Sequence, residues 1–334
     1  MNRRGFLKSA ARSAAALAGL GIGRRPALGQ TSPSAEELQG RPFSNAATLA
    51  TRPFGRSDVR LSIIGFPGFA VNRLEPDRVA RLVAESVERG VNYFDVSPKY
   101  GDAEARLGPA LEPYRRRVFL ACKTAERTAG GAAADLERSL ERLRTDHLEL
   151  YQLHHITDVA RDVDAAFASG GAMEVLARAR REGRVRFLGF SAHSVEAAMA
   201  AMDRFDFDSA MFAVNLASFR KGGFGPQILA RAREKGMAVL ALKILARQKW
   251  PADDERRKRH WRCWYEPVTD LDEAELSVRF TLGQPVTSAL PPSEENLHRV
   301  AMMLAMDYRP LEPDEEARAA RLVEGLEPIF THAG

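Results

Sequence analysis

The sequence predicts an α/β fold, a (β/α)8 TIM barrel, with a signal segment before it and a helical extension behind. Three observations predict it. From about Val59 onward, helix-period segments alternate with short apolar runs, which implies parallel strands joined by right-handed crossovers. The apolar runs are continuous rather than alternating, as strands covered on both faces are. Eight such units are legible, and eight favour a closed barrel over an open doubly wound sheet.

The chain opens on Asn2-Arg3-Arg4-Gly5-Phe6-Leu7-Lys8, a twin-arginine pattern. A weakly apolar stretch follows from Ala10 to Gly23, and Ala27-Leu28-Gly29 supplies the small residues of a cleavage site. With Arg12 inside it, this stretch is too short and too Gly-rich to span a membrane. Residues 1–29 are therefore expected to be a twin-arginine signal peptide, 30–43 a linker and 44–334 the barrel. Export places the mature protein in the periplasm or beyond, with the twin-arginine machinery as a partner.

Candidate strands fall at about 59–64, 92–95, 118–123, 148–153, 185–190, 209–214, 238–242 and 287–290. Helical patterns follow them at about 76–89, 102–111, 131–143, 171–182, 194–203, 226–235, 271–282 and 293–306, and Asp314 to Gly325 reads as an added C-terminal helix. At Gly90, Gly183 and Gly236 a charged last turn meets a glycine that ends the helix in a left-handed cap.

Composition narrows the function. Apolar residues make up 45% of the chain, enough for a substantial core, so disorder is excluded. The net charge is +5, with much of the positive charge at the N-terminus and around residues 255–262; a spread-out excess of this size says little about nucleic acid and reads as a solvated surface. Two cysteines, Cys122 and Cys263, make no disulfide framework. All three tryptophans, Trp250, Trp261 and Trp264, fall in the segment 247–268 after the seventh strand. That segment reads either as a substrate lid or as a surface piece packed on the barrel rim.

Four polar residues carry the chemistry. Asp95, Lys123 and His154 end candidate strands two, three and four, and Tyr100 follows Asp95 by a short Ser-Pro loop. Active sites of such barrels gather at the C-terminal strand ends, and neighbouring strands lie about 4.8 Å apart, so these residues can converge. Singly each has a bland role: a cap, a packing ring, a snorkelling lysine, a core histidine beside His155. Together they match one chemistry. A phenol, with a pKa of about 10, is a weak acid, and a cation within about 4–6 Å favours its ionised form.

Asp95-Val96-Ser97-Pro98-Lys99-Tyr100-Gly101, Lys123 and Leu150-Tyr151-Gln152-Leu153-His154 resemble the aldo-keto reductases, over about Gly55 to Pro310. The resemblance implies NAD(P)H-dependent reduction of an aldehyde or ketone to an alcohol, with no Rossmann domain. Tyr100 would be the general acid, Lys123 its stabilising cation, Asp95 the partner of Lys123, and His154 the residue that orients the carbonyl. It also implies cofactor contacts from Ser191, His193, Asn215, Lys243 and Ser293, with NADPH as the family default and NADH as the alternative. The chain departs from the family at Ala192, Met211 and Leu242, where Asn, Gln and an aromatic are usual. Glu294 and Glu295 stand where a 2′-phosphate is often bound, with His298 and Arg299 one turn on. Two other readings compete: a Schiff-base barrel enzyme using Lys123 or Lys243, and a non-enzymatic cofactor-binding barrel serving as sensor or partner subunit.

Overall fold

A computed structural model describes residues 48–332. The expected signal peptide and linker, 1–43, lie outside the described residues.

The strands are β1 (Thr51–Pro53), β2 (Arg60–Ser62), β3 (Phe66–Pro67), β4 (Tyr93–Asp95), β5 (Phe119–Thr124), β6 (Leu148–Ile156), β7 (Val185–Ala192), β8 (Ser209–Ala213), β9 (Ala238–Leu242), β10 (Ala246–Lys249), β11 (Tyr265–Pro267) and β12 (Ser288–Leu290). Eight of them form one parallel sheet in the order β12-β9-β8-β7-β6-β5-β4-β3. The sheet closes on itself through Ile64, which bridges Ala289 in parallel. Gly65 N–H donates to Ala289 O at 3.0 Å, and Ala289 N–H donates to Ile63 O at 2.9 Å. The barrel expected from the sequence is therefore present.

The first expected strand, 59–64, needs correcting. Its Arg60–Ser62 portion pairs antiparallel with Thr51–Pro53 as a hairpin, and the barrel's own first strand comes later, at Phe66–Pro67. One apolar run thus serves two sheets, and the division lies in long-range pairing that local pattern does not encode. The hairpin plugs one end of the barrel. Phe54, between its strands, packs its ring 5.0 Å from both Phe119 and Phe187. The Arg52 guanidinium donates to Leu282 O and Val286 O, tying the plug to the chain entering the last strand.

Helices follow the expected positions within a few residues: Pro76–Glu88, Ala103–Leu111, Ala129–Leu143, Ala172–Arg181, Val195–Arg204, Pro226–Glu234, Leu271–Gly283, Glu295–Met306 and the added Pro313–Leu322. Gly90, Gly183 and Gly236 take φ of 90°, 73° and 65°, the left-handed region where a Cβ is costly. Both cysteines are buried and free.

The core has two layers. Tyr93, Phe119, Leu150, Met211, Leu240 and Leu290 fill the barrel interior, while Phe94, Leu120, Tyr151, Leu188, Phe212 and Ala241 pack outward under the helices. This period of two positions the chemistry. Tyr93 faces in and Phe94 out, so Asp95 faces in. Phe119 and Ala121 face in, so Lys123 does. Leu150 and Gln152 lie on the inner row that His154 continues.

Candidate active site

Asp95 and Lys123 are almost wholly buried, with 2% and 1% of their surface exposed, so each charge depends on the other. The Lys123 ammonium is ion-paired to Asp95 Oδ1 and donates to Val96 O at 3.2 Å. Asp95 Oδ2 accepts from the Tyr93 hydroxyl at 3.1 Å and from Gln152 Nε2 at 3.3 Å. The carboxylate is therefore clamped from β4, β5 and β6 at once. Neither Tyr93 nor Gln152 was a candidate from the sequence, although Gln152 lies within the Leu150–His154 motif and Tyr93 stands two residues before Asp95.

Tyr100 reaches this pair from the loop after β4, and Lys123 Nζ lies 5.3 Å from its ring centroid. The sequence led us to expect a phenol pKa lowered by Lys123. In the fold, burial is the larger influence and raises it, and the nearby Lys123 ammonium offsets only part of that rise. The Tyr100 hydroxyl thus stays protonated through neutral pH. Burial also pulls the Lys123 ammonium downward, but Asp95 and Tyr100 outweigh it and hold it above its ordinary value. A buried cation beside a buried acid favours the anion that proton donation leaves.

His154 sits edge-on to Tyr100, with ring centroids 5.8 Å apart. It does not end its strand, as expected, but lies at an irregularity in β6 between Leu153 and Ile156. There His155 takes φ of 59°, a left-handed value unusual for a residue with a Cβ. The kink lets His154 keep its place on the inner row. His154 Nδ1 is 3.0 Å from Ser97 Oγ, and its backbone carbonyl accepts from Arg127 at 2.8 Å. Burial, then the positive charge of Lys123, keeps the imidazole neutral well below its ordinary pKa.

These groups line a cavity of about 300 Å³ at the C-terminal mouth of the barrel, which also takes in Ser191, His193, Lys243 and Ser293. Ser191 Oγ accepts from His155 N–H at 2.7 Å, and His193 Nε2 is 3.2 Å from Lys243 Nζ. Asn215 is not part of this wall. It is fully buried, and its Oδ1 accepts from Ser218 N–H at 2.9 Å, holding the chain after β8. Met211 and Leu242 present apolar surface to the cavity. A second cavity, about 220 Å³, lies at the opposite end between Arg56, Phe187 and Asp208 and gathers no comparable acid–base set.

Two appendages finish the mouth. Residues 246–267 form an antiparallel hairpin, β10 with β11, whose Arg262, Trp264 and Tyr265 line the cavity. Trp261 stacks under the Arg262 guanidinium at 4.2 Å and meets Phe69 edge-on. The C-terminal tail packs Phe330 behind this wall. Its ring lies 4.7 Å from His193, 4.9 Å from Phe224 and 5.8 Å from Trp264. Arg279 anchors this tail, donating to Arg309 O and Pro310 O and pairing with Glu315 of the last helix. Phe330 gave no signal in the sequence, because its role depends on where the tail is led.

At the start of the helix Glu295–Met306 the basic residues are already engaged. Glu294 is paired with His260 at 2.9 Å, Glu295 with Arg78 at 2.8 Å and Arg299 with Glu85 at 2.9 Å. His298 is fully buried against Ser86 Oγ at 3.0 Å, and burial lowers its pKa to about 3.

Fold and site define a parallel barrel with a buried lysine–carboxylate pair, a tyrosine and a histidine converging at its C-terminal mouth. The chain belongs to the aldo/keto reductase family, whose model matches residues 63–300. It is similar to the 6-dehydroglucose reductase of Novosphingobium aromaticivorans, 34% identical over 147 residues, 36% of this chain and 48% of that protein. It also resembles the methylglyoxal reductase YeaE of Escherichia coli, 36% identical over 103 residues, 29% of this chain and 36% of that one. The chain spans about half the length of the first curated relatives it matches. Among solved structures, the holo form of the aldo-keto reductase AKR11C1 from Bacillus halodurans superposes with a TM-score of 0.65. It shares 21% identity and covers 84% of this chain and 98% of its own, a likeness of fold.

Proposed function

We propose that the protein reduces an aldehyde or ketone to an alcohol with a nicotinamide dinucleotide. The observation that carries this is the buried Lys123–Asp95 pair set beside Tyr100 and His154 on one cavity wall. The cofactor, when bound, supplies hydride to the carbonyl carbon. Tyr100 donates its phenolic proton to the carbonyl oxygen, and Lys123 stabilises the phenolate left behind. Asp95 keeps Lys123 charged and aimed, itself fixed by Tyr93 and Gln152. Ser97 Oγ lies 3.0 Å from His154 Nδ1; with the Ser97 hydroxyl as donor there, the imidazole proton is on Nε2, the tautomer that can hydrogen-bond a carbonyl oxygen. The Schiff-base alternative has no use for Tyr100, and the non-enzymatic one has no use for a buried, desolvated ion pair.

The cavity chemistry fits a nicotinamide ring better than it fits a 2′-phosphate. Ser191 offers a hydroxyl to the carboxamide, and Met211 and Leu242 offer apolar surface to the ring. Ser293 lies on the side where the remainder of the dinucleotide would leave. Glu294 and Glu295 follow it in the chain, already paired with His260 and Arg78, and Arg299 and His298 are committed elsewhere. NADH is therefore the favoured cofactor. We expect it to bind about tenfold more tightly than NADPH, roughly 1.4 kcal/mol, since the basic residues at the start of the helix Glu295–Met306 are already paired and give a 2′-phosphate no counter-charge. Titration of the mature protein with each will decide, and equal or tighter binding of NADPH would remove the argument.

We further propose that residues 1–29 direct export by the twin-arginine route, which moves folded proteins and so allows cofactor loading beforehand. Replacing Arg3 and Arg4 by Lys should then retain the protein in the cytoplasm. Unchanged export of that variant would defeat this reading.

A further inference from the structure

The cavity holds more positive charge than it balances. Its one carboxylate, Asp95, is already paired with Lys123. Lys99 leans 4.0 Å from Glu126 at the exposed rim. Lys243 is different. Its ammonium reaches the same cavity, and its hydrogen-bond partner is the ring of His193, 3.2 Å away. His193 is held neutral, far below its ordinary pKa, by burial and by Lys243 itself, so it accepts a hydrogen bond without supplying negative charge. Among the described residues no carboxylate lies at ion-pair distance from Lys243.

Two features mark this as an arrangement kept for a purpose. Lys243 takes φ of 58°, a left-handed value that costs energy for a residue with a Cβ and that turns it sharply off the end of β9. Burial, then the repulsion of Lys123, lowers its pKa to about 8, with Asp95 offsetting only part. Lys243 is half-buried and its ammonium also faces the Phe330 ring at 5.8 Å, but neither that ring nor neutral His193 supplies the full negative charge that a cation near a second ammonium calls for. Arg262, on the hairpin side of the same cavity, donates to Asn72 O at 2.8 Å and has Glu294 and Glu295 nearby to balance it, which leaves Lys243 as the unbalanced cation.

We infer that the substrate is itself an anion: a small carbonyl compound bearing a carboxylate or phosphate group, which Lys243 pairs inside the cavity. This rests on the carbonyl-reducing function proposed above and narrows its substrate class. The cofactor diphosphate is the other possible source of negative charge. It is separated from the nicotinamide ring by a ribose, whereas the Lys243 ammonium, beside the rings of His193 and Phe330, shares one cavity wall with Tyr100, Lys123 and His154. The substrate is therefore the better match.

The test pairs a binding probe with a kinetic one, on the mature chain. Benzoate and its neutral amide, benzamide, are titrated onto wild type, Lys243→Met and Lys243→Arg, following tryptophan fluorescence, since Trp264 lines the cavity. We expect benzoate to bind wild type more tightly than benzamide, to lose about 10- to 100-fold in Lys243→Met and to recover in part in Lys243→Arg. Retained benzamide binding shows that the variant is folded. In turnover, the wild-type preference for 4-carboxybenzaldehyde over benzaldehyde should collapse in Lys243→Met, mainly through KM. Benzoate affinity unchanged by Lys243→Met overturns the inference. So does a loss of NADH affinity in place of benzoate affinity, which would give the ammonium to the diphosphate. If wild type reduces neither aldehyde, the proposed function fails, while the benzoate titration still judges Lys243.

Discussion

Tyr100→Phe is expected to lower turnover by about 10²–10⁴-fold, the usual worth of a positioned proton donor. The variant should still fold. Only a hydroxyl is removed, and the ring keeps its contacts with Phe69 at 5.4 Å and His154 at 5.8 Å. The loss should fall on kcat more than on KM, because the proton is needed in the transition state rather than for binding. Wild type should show a characteristic pH response. Burial raises the Tyr100 phenol above its ordinary value and holds His154 well below its own. In neither group does the acid–base state change between about pH 7 and 9, so kcat for carbonyl reduction should be flat there. It should fall only at higher pH, as the phenol loses its proton. Near-normal turnover in Tyr100→Phe would show that another group supplies the proton.

The second large effect lies in the ion pair beneath it. Asp95→Asn and Lys123→Met each leave one buried charge without its counter-ion, a loss of about 3–5 kcal/mol. Each single variant should therefore lose stability and activity together. The double variant Asp95→Asn with Lys123→Met removes both charges and should recover much of the stability but none of the activity. Denaturant midpoints and turnover measured on all three variants separate the two quantities. If the singles were as stable as wild type, the pair would not be desolvated as described. If the double variant were active, Lys123 would have no part in the chemistry.

The legibility of this protein in its sequence followed a physical division. Barrel strands and helices could be read because each carries its own periodicity and end signals, as at Gly90, Gly183 and Gly236. Asp95, Lys123 and His154 could be read because inward-facing alternation continues past the apolar rows into the polar ends. The plug hairpin could not, since Arg60–Ser62 has the same local pattern whichever sheet it joins. The net direction of the Tyr100 shift was also hidden, because burial depends on the Phe69 and hairpin walls that the chain brings from afar. Asn215 looked like a ligand-facing amide by its position, yet it serves its own turn at Ser218.

Phe330 and Trp264 meet beside the cavity from two segments that lie outside the eight barrel strands. Asp95, Lys123 and His154 belong to the barrel, while Arg262, Trp264 and Tyr265 of the cavity wall come from the hairpin, with the tail packed behind them. Chemistry and selectivity are thus written in separate stretches of polypeptide. New preferences can arise by rewriting the borrowed parts alone, and grafting the hairpin with the tail behind it from a relative should shift ligand preference more readily than altering any strand.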